Sequence, residues 1–288
     1  MTAAAPAAPA HRTVRARRIR FDYAKQAGGK HEHYADDDLV MSHVVAMLSA
    51  MFPEGEDFFV RSVRHYADQI TEPRLKEDVA GFIGQEVTHG REHRALNDRL
   101  QEMGYPTHRL DRWVKRDLAF VNKHTPRKFQ LAITAALEHY TASLAETLLT
   151  DPGAQAKLSD GEVKSMLLWH AIEESEHKAV PFDVYRAVGG TERMRIWTMR
   201  LVSLLFLLAA VGHTIASMAA DRATYRPRVL WASLRKLPHS PFLGPNVRRI
   251  RAYNHVGFHP NDNDNAELLE EWTTRLFSEQ GELAGNLR

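Results

Sequence analysis

The sequence predicts an all-α fold: a four-helix bundle with an extra apolar helix and a C-terminal helical extension. Three observations predict it. Apolar residues recur at helical period along most of the chain, and no run alternates convincingly as a strand would. Proline and glycine fall where helices start and stop. Two Glu-x-x-His stretches lie mid-helix, each preceded by another glutamate about one helix earlier.

The elements follow in order. Residues 1–20 are Ala/Pro-rich and then Arg-rich, and read as a disordered basic arm. A bundle spanning 21–190 begins with a helix from about Asp37 to Ile70, in which Pro53 and Gly55 predict a kink or break. The second helix starts at Pro73 and ends at Met103, with Gly104 as C-cap. A short amphipathic stretch covers Leu110–Lys123. A third long helix covers Arg127–Leu149, stopping at Asp151-Pro152-Gly153. The fourth runs from Ser159, where Ser159-x-x-Glu162 has the capping-box pattern, to about Val188, with a bend at Pro181. An apolar helix (191–222) follows. The extension (223–288) carries a final helix near Ala266–Gln280.

Composition narrows the chemistry. With no cysteine, there can be no disulfide, thiolate metal site, iron–sulfur cluster or cysteine nucleophile. A metal must be held by nitrogen and oxygen, and sixteen histidines supply imidazole freely. A net charge of only +2 gives no general case for nucleic acid. No apolar leader is evident, so the expectation is a cytoplasmic protein. Neither a Gly-x-Ser-x-Gly turn nor a glycine-rich phosphate loop occurs.

The chemistry concentrates at Glu86-x-x-His89 and Glu174-x-x-His177. Residues three apart share a helix face, so each pair can grip one metal ion or flank two. Roughly one such pair is expected by chance, so the pairs alone are weak. Their order is stronger. Glu56 precedes Glu86, and Glu138 precedes Glu174, each by about a helix and a turn. That doubled order is how di-iron and di-manganese carboxylate bundles assemble their core site. Glu56 is preferred over Glu54 because it keeps step with Phe59 and Val60. Glu138 is preferred over its neighbour His139, a candidate outer contact, because the pattern wants a bridging carboxylate; Glu86, His89, Glu174 and His177 would each bind one metal, with Glu56 and Glu138 terminal or bridging. His93 and His170 lie about two turns from their partners on the ligand face. His170 is either a seventh ligand or an outer residue; His93 is either an outer residue or solvent-facing. Glu173 and Glu176 read as a solvated face pairing with Lys178 or arginines.

At these residues the chain resembles a bacterial family catalogued as predicted metal-dependent hydrolases. The likeness rests on Phe52-Pro53-x-Gly55-Glu56-x-Phe58-Phe59, Gln85-Glu86-x-x-His89-x-x-x-His93 and Glu173-Glu174-x-x-His177-Lys178, with Arg18-Ile19-Arg20-Phe21-Asp22 before them. It covers about residues 15–280 and implies metal-dependent hydrolysis. The pattern is also similar to ferritin-like di-iron proteins, which implies a ferritin-like bundle. His170-x-x-x-Glu174-x-x-His177 resembles the last-helix motif of di-iron arylamine N-oxygenases, implying that His170 is a ligand.

Leu201–Ala220 contains no acidic residue, lysine or arginine, and is long enough to span a bilayer. It reads as a buried fifth helix, an interfacial anchor or a membrane span. Arginines on both sides leave its orientation open. His31-x-His33 reads as an incidental loop pair, and Arg248-Arg249-Ile250-Arg251 as a solvated surface.

The expected cofactor is a pair of metal ions, iron first, with manganese and zinc as alternatives. The leading expectation is an O2-dependent oxidase or oxygenase acting on a small organic, apolar substrate. It would need O2 and an electron donor, with a membrane surface as a candidate partner. A hydrolase using a metal-bridging hydroxide is the runner-up, and a non-enzymatic iron-binding or storage protein the third reading. The oligomeric state is left open.

Overall fold

A computed structural model describes residues 14–23, 33–159 and 161–288. These residues form an all-α bundle; among them the sole β feature is an isolated antiparallel bridge between Ile19 and Leu287. Four long elements carry the site: α1 (Leu39–Arg64), α2 (Pro73–Met103), α4 (Arg127–Thr150) and α6 (Gly161–His177). Between α2 and α4 runs the amphipathic α3 (Thr107–His124). The short α5 (Pro152–Ala156) links α4 to α6, and Asp151 caps it by accepting from the amides of Gly153 and Ala154.

Asp38 starts α1 by accepting from the Met41 amide at 2.9 Å. Contrary to the expected break, the helix runs unbroken through Pro53 and Gly55. The physical reason lies on α2. Proline has no N–H, so the Ser49 carbonyl four residues earlier loses its helical partner. Asn97 Nδ2 donates to that carbonyl at 3.0 Å. The second helix matches its expected bounds, with Gly104 closing it at φ +104°.

The fourth expected helix is two. Helix α6 stops at His177, and α7 (Val180–Ala187) begins beyond it with Pro181 in its first turn. A proline ring clashes with the carbonyl four residues back, here that of His177, so the break precedes Pro181 instead of bending the helix after it. Ser159 does not form the expected capping box. Its hydroxyl donates to the Tyr34 carbonyl and accepts from the Asp36 amide.

The apolar run forms α8 (Glu192–Met218), long and apolar enough to cross a membrane. It is not a buried fifth helix. Thr198, Met199, Val202, Thr214 and Met218 pack inward, while Trp197, Leu201, Leu204, Leu208, Val211 and Ile215 are exposed. Those six follow helical spacing along one face for about 27 Å.

The extension adds α9 (Pro227–Lys236), α10 (Gly244–Ala252) and α11 (Ala266–Phe277). Trp272 Nε1 donates to the Leu149 carbonyl, tying α11 to the end of α4. Residues 14–20, expected to belong to a disordered basic arm, are part of the fold, while residues 1–13 of that expectation lie outside the described residues. Val14, Ile19 and Phe21 are buried, and the Arg20 amide donates to Asn286. Arginine-rich composition hides these intervening apolar residues. His31 lies outside the described residues, and His33 Nε2 contacts Asp221 at 3.0 Å.

Gly81 on α2 makes this docking feasible: a Cβ there would sit 2.1 Å from the Val14 carbonyl oxygen. Gly81→Ala should therefore destabilise the fold by about 1–3 kcal/mol through overpacking. Urea denaturation checks this, and an unchanged midpoint would contradict the docking of residues 14–23.

Two apolar layers frame the centre of the bundle. One includes Ala46, Leu96, Ala145 and Ile172; the other includes Phe58, Phe82, Leu131 and Val184. Each of the four long elements gives polar residues to the level between them.

Candidate metal centre

Glu56, Glu86, His89, Glu138, His170, Glu174 and His177 all meet in this intermediate layer, and all are buried. They form overlapping groups: Glu56 and His170 with His93, His89 with His170 and Glu174, Glu56 with Glu86 and His89, and Glu86 with Glu138 and His177. Within each group the donor atoms lie within 4.8 Å of one another. The sequence-predicted set thus converges without exception.

The distances divide the layer into two halves. His177 Nε2 lies 3.1 Å from Glu86 Oε1 and 3.1 Å from Glu138 Oε2. On the other side, His170 Nε2 lies 2.8 Å from Glu174 Oε1 and 3.7 Å from Glu56 Oε1. Glu174 faces both halves: Oε1 is 3.6 Å from His89 Nδ1, and Oε2 is 3.5 Å from His177 Nε2. Glu86 Oε1 does likewise, 3.8 Å from His89 Nδ1. Glu86 and Glu174 therefore lie centrally, facing both halves, while Glu56 and Glu138 sit at the two ends.

Each imidazole is held by its outward nitrogen. His89 Nε2 reaches Glu173 Oε2 at 3.0 Å, and His177 Nδ1 reaches Gln85 Oε1 at 2.8 Å. An ionised carboxylate and an amide oxygen can only accept, so both histidines are donors there. Their other nitrogens, His89 Nδ1 and His177 Nε2, then face the centre, where each can offer a lone pair to a cation once it carries no proton.

His170 is fixed by a longer chain. Asn97 uses its amide N–H on the Ser49 carbonyl, so its Oδ1 accepts from the Ser49 hydroxyl at 2.7 Å. Ser49 Oγ then accepts from His93 Nδ1 at 2.9 Å. His93 Nε2, left with a lone pair, accepts from His170 Nδ1 at 3.1 Å. His170 Nε2 consequently faces the carboxylates as an acceptor. Two acceptors 2.8 Å apart need a proton or a cation between them. Phe52 stacks on His93 at 4.4 Å between centroids and keeps its ring in place.

The electrostatics of these side chains by themselves are costly. Both oxygens of Glu56, Glu86 and Glu138 are buried without hydrogen bonds, as are Glu174 Oε2, His89 Nδ1 and His177 Nε2. Buried polar atoms are ordinarily paired, so this concentration of bare donors at one point fits an absent cation. Four carboxylates balance the charge of two divalent ions, and the nitrogen–oxygen donor set suits iron, manganese or zinc.

Burial, reinforced by neighbouring carboxylates, raises Glu56 and Glu86 well above the usual carboxylate range. Burial also pushes Glu138 up to about 7, against the pull of His177. Against its own burial, Glu174 is held well below that range by His177 and His170. His177 is raised, also against burial, by Glu138 and Glu174. Groups raised in this way retain protons near neutrality and must lose them to bind a cation. Metal affinity should therefore fall as pH falls through about 7. Chelator competition at about pH 8 and about pH 6 should differ by at least about tenfold. A pH-independent affinity would contradict the assignment.

Two expectations fail. Glu173 is not on a solvated face: it is fully buried and takes Arg17 Nη1 at 3.0 Å besides His89. The arginine alternative of the pairing holds: Glu176 pairs with Arg17, and also with Gln85 Nε2, instead of with Lys178. His139 is not an outer contact of the centre. Its Nε2 reaches the Arg249 carbonyl at 2.8 Å and its ring packs on Tyr253, because adjacent helical residues point about 100° apart. Burial pushes His139 down to about 4. Glu54 contacts Lys115 instead of the centre, consistent with the choice of Glu56.

Sequence reasoning missed Arg17, Ser49, Gln85, Asn97 and Glu173 as supports. One signal was available. Gln85 and Glu173 each stand just before a central glutamate, and each holds the histidine of the opposite half.

No curated protein and no solved structure matches the chain. A family model described as predicted metal-dependent hydrolase matches residues 15–264, from the docked N-terminal segment past all the converging residues. Buried Glu/His groups able to hold metal lie within that match, and the chain belongs to the family of predicted metal-dependent hydrolases.

Proposed function

We propose that the protein is a di-iron carboxylate enzyme that oxidises an apolar organic substrate with O2 and electrons from an external donor. The observation that carries this reading is the seven-residue donor set of four glutamates and three histidines, opening on an apolar cavity. Glu86 and Glu174 would bridge the two ions. Glu56, His89 and His170 would complete one side, and Glu138 and His177 the other. An iron pair supplies two-electron reduction of O2; the same residues around zinc or manganese would activate water.

The chain's own residues support oxidation in three ways. Apolar layers on both sides exclude bulk water. Glu173 and Gln85 hold the histidines through a redox cycle without themselves needing to move. The wall beside His170 and Glu174 is formed by residues such as Leu48, Phe52, Leu144 and Leu167, which bind hydrocarbon and have nothing to offer a developing oxyanion. A second reading, hydrolysis, is favoured by the family's description.

Metal analysis of protein loaded anaerobically with ferrous iron, followed by exposure to O2, separates the two. Two irons per chain, oxidised by O2 and re-reduced by dithionite, support the oxidative reading. Zinc retained through this treatment with no response to O2 would sink it and leave hydrolysis.

We also propose that the protein works at a membrane surface. The exposed apolar face of α8 supports this, flanked by Arg193 and Arg200 at one end and Arg222 and Arg226 at the other. Because α8 is packed on the bundle along its inner face, it would lie in the interface instead of crossing. Co-sedimentation with vesicles containing anionic lipid should fall for Leu204→Glu with Leu208→Glu. Equal sedimentation of that variant would contradict the proposal.

A further inference from the structure

A cavity of about 740 Å³ lies between α1, α4, α6, α8 and the segment 237–254. That is within the range of about 300–1,000 Å³ typical of small-molecule sites. Its lining is unevenly charged. At one boundary stand His170 and Glu174, members of the metal centre. Elsewhere the walls are mainly aliphatic and aromatic, and the lining's remaining charged side chains are Arg200 and Arg251.

Both arginines are exposed, and neither has an acidic partner among the described residues. The Arg200 guanidinium lies over the Trp197 ring at 5.5 Å, which orients it. Asn254 also lines the cavity, and its side-chain oxygen is buried without a hydrogen bond. Leu207, Leu243 and Val247 line the cavity and are also solvent-exposed, so it opens through apolar surface.

We infer that this cavity is the substrate site and takes an amphiphile with one unbranched acyl chain and an anionic head. The head lies between Arg200 and Arg251, and the chain runs along the apolar walls toward His170 and Glu174. The charge pattern selects this class. A small polar substrate would leave most of the wall unmatched, and a cationic amphiphile would face two uncompensated guanidinium groups. A neutral hydrocarbon would gain nothing from them. A carboxylate and a phosphate head share the required chemistry. The inference deepens the proposed function, but its test reads binding instead of turnover. It can fail while the metal centre stands.

The test is calorimetric titration of the full, metal-loaded chain below micelle concentrations. The probes are dodecanoate, dodecyl phosphate, dodecanol and dodecyltrimethylammonium. Both anions should bind more tightly than the alcohol, and the cation most weakly. Decanoate, two methylenes shorter, should bind about sixteenfold more weakly than dodecanoate, because each buried methylene is worth about fourfold. Arg200→Gln with Arg251→Gln should weaken dodecanoate about tenfold and leave dodecanol within about twofold. Leu144→Trp should remove binding of every probe while metal content is kept. Should that variant lose metal, Ala171→Leu is the milder block and should shorten the longest chain accepted. Preference for phosphate over carboxylate would assign the head to a lysophospholipid-like source, and the reverse to a free fatty acid. Equal affinity for cation and anion, or dodecanoate binding unaffected by the arginine changes or by both blocking changes, would overturn the inference.

Discussion

Glu174→Ala is expected to abolish binding of both metal ions, whereas Glu138→Ala is expected to remove one. The difference follows from position. The two Glu174 oxygens face opposite halves, 2.8 Å from His170 and 3.5 Å from His177. Glu138 touches only the His177 side, at 3.1 Å. Removing a bridge leaves two cations close together with less negative charge between them, so neither is held. Removing a terminal carboxylate leaves the Glu56, His89 and His170 side with its donors intact. Elemental analysis after loading and desalting should give close to zero and close to one metal per chain, respectively. One retained metal in both variants would show that Glu174 does not bridge.

Arg17→Ala should destabilise the fold by about 3 kcal/mol and weaken metal binding about 10- to 100-fold. Arg17 lies between two acidic side chains, donating to Glu173 at 3.0 Å and to Glu176 at 2.6 and 2.8 Å, and its guanidinium stacks on Phe277. Without it, Glu173 is a buried charge with no cation beside it. Burial already raises Glu173, and Arg17 is the main opposing influence. Loss of Arg17 therefore favours the neutral acid. The neutral acid is a poorer acceptor for His89 and holds its ring less firmly. Arg17→Lys should retain part of both effects as a point charge without the fork geometry. Denaturation and metal titration of the variants check this. A stable Arg17→Ala protein with native affinity would show that the N-terminal segment is a passive strap.

The sequence was most legible where the governing relations are local. The pairs Glu86/His89 and Glu174/His177 are fixed by helical period alone, and the doubled order of glutamate, gap and Glu-x-x-His pointed to six of the converging seven, His170 being left open. The helix bounds at Pro73 and Gly104 were readable because each residue type has one strong positional meaning. The supports were harder to read because they are remote. Glu173 holds His89 from 84 positions away, and Arg17 reaches Glu173 across 156. The one local signal at Glu173 is its place just before a central glutamate, shared with Gln85.

Proline was only partly legible at two positions. Its effect depends on whether a neighbouring element replaces the lost partner. Asn97 does so at Pro53, where the helix continues; at Pro181 the helix breaks. The facing of α8 was unreadable because an apolar helix gives no polar side to mark where solvent or lipid lies. The arm at residues 14–20 was hidden by composition, since Val14 and Ile19 are buried among arginines.

The central claim is that these seven side chains hold two metal ions as one coupled pair. Mössbauer spectroscopy of the chain loaded anaerobically with ⁵⁷Fe(II), then exposed to O2, tests it most directly. Two irons per chain are expected, oxidising together into a spin-coupled, diamagnetic ferric pair. A single isolated high-spin iron, or two irons that oxidise independently without coupling, would contradict it.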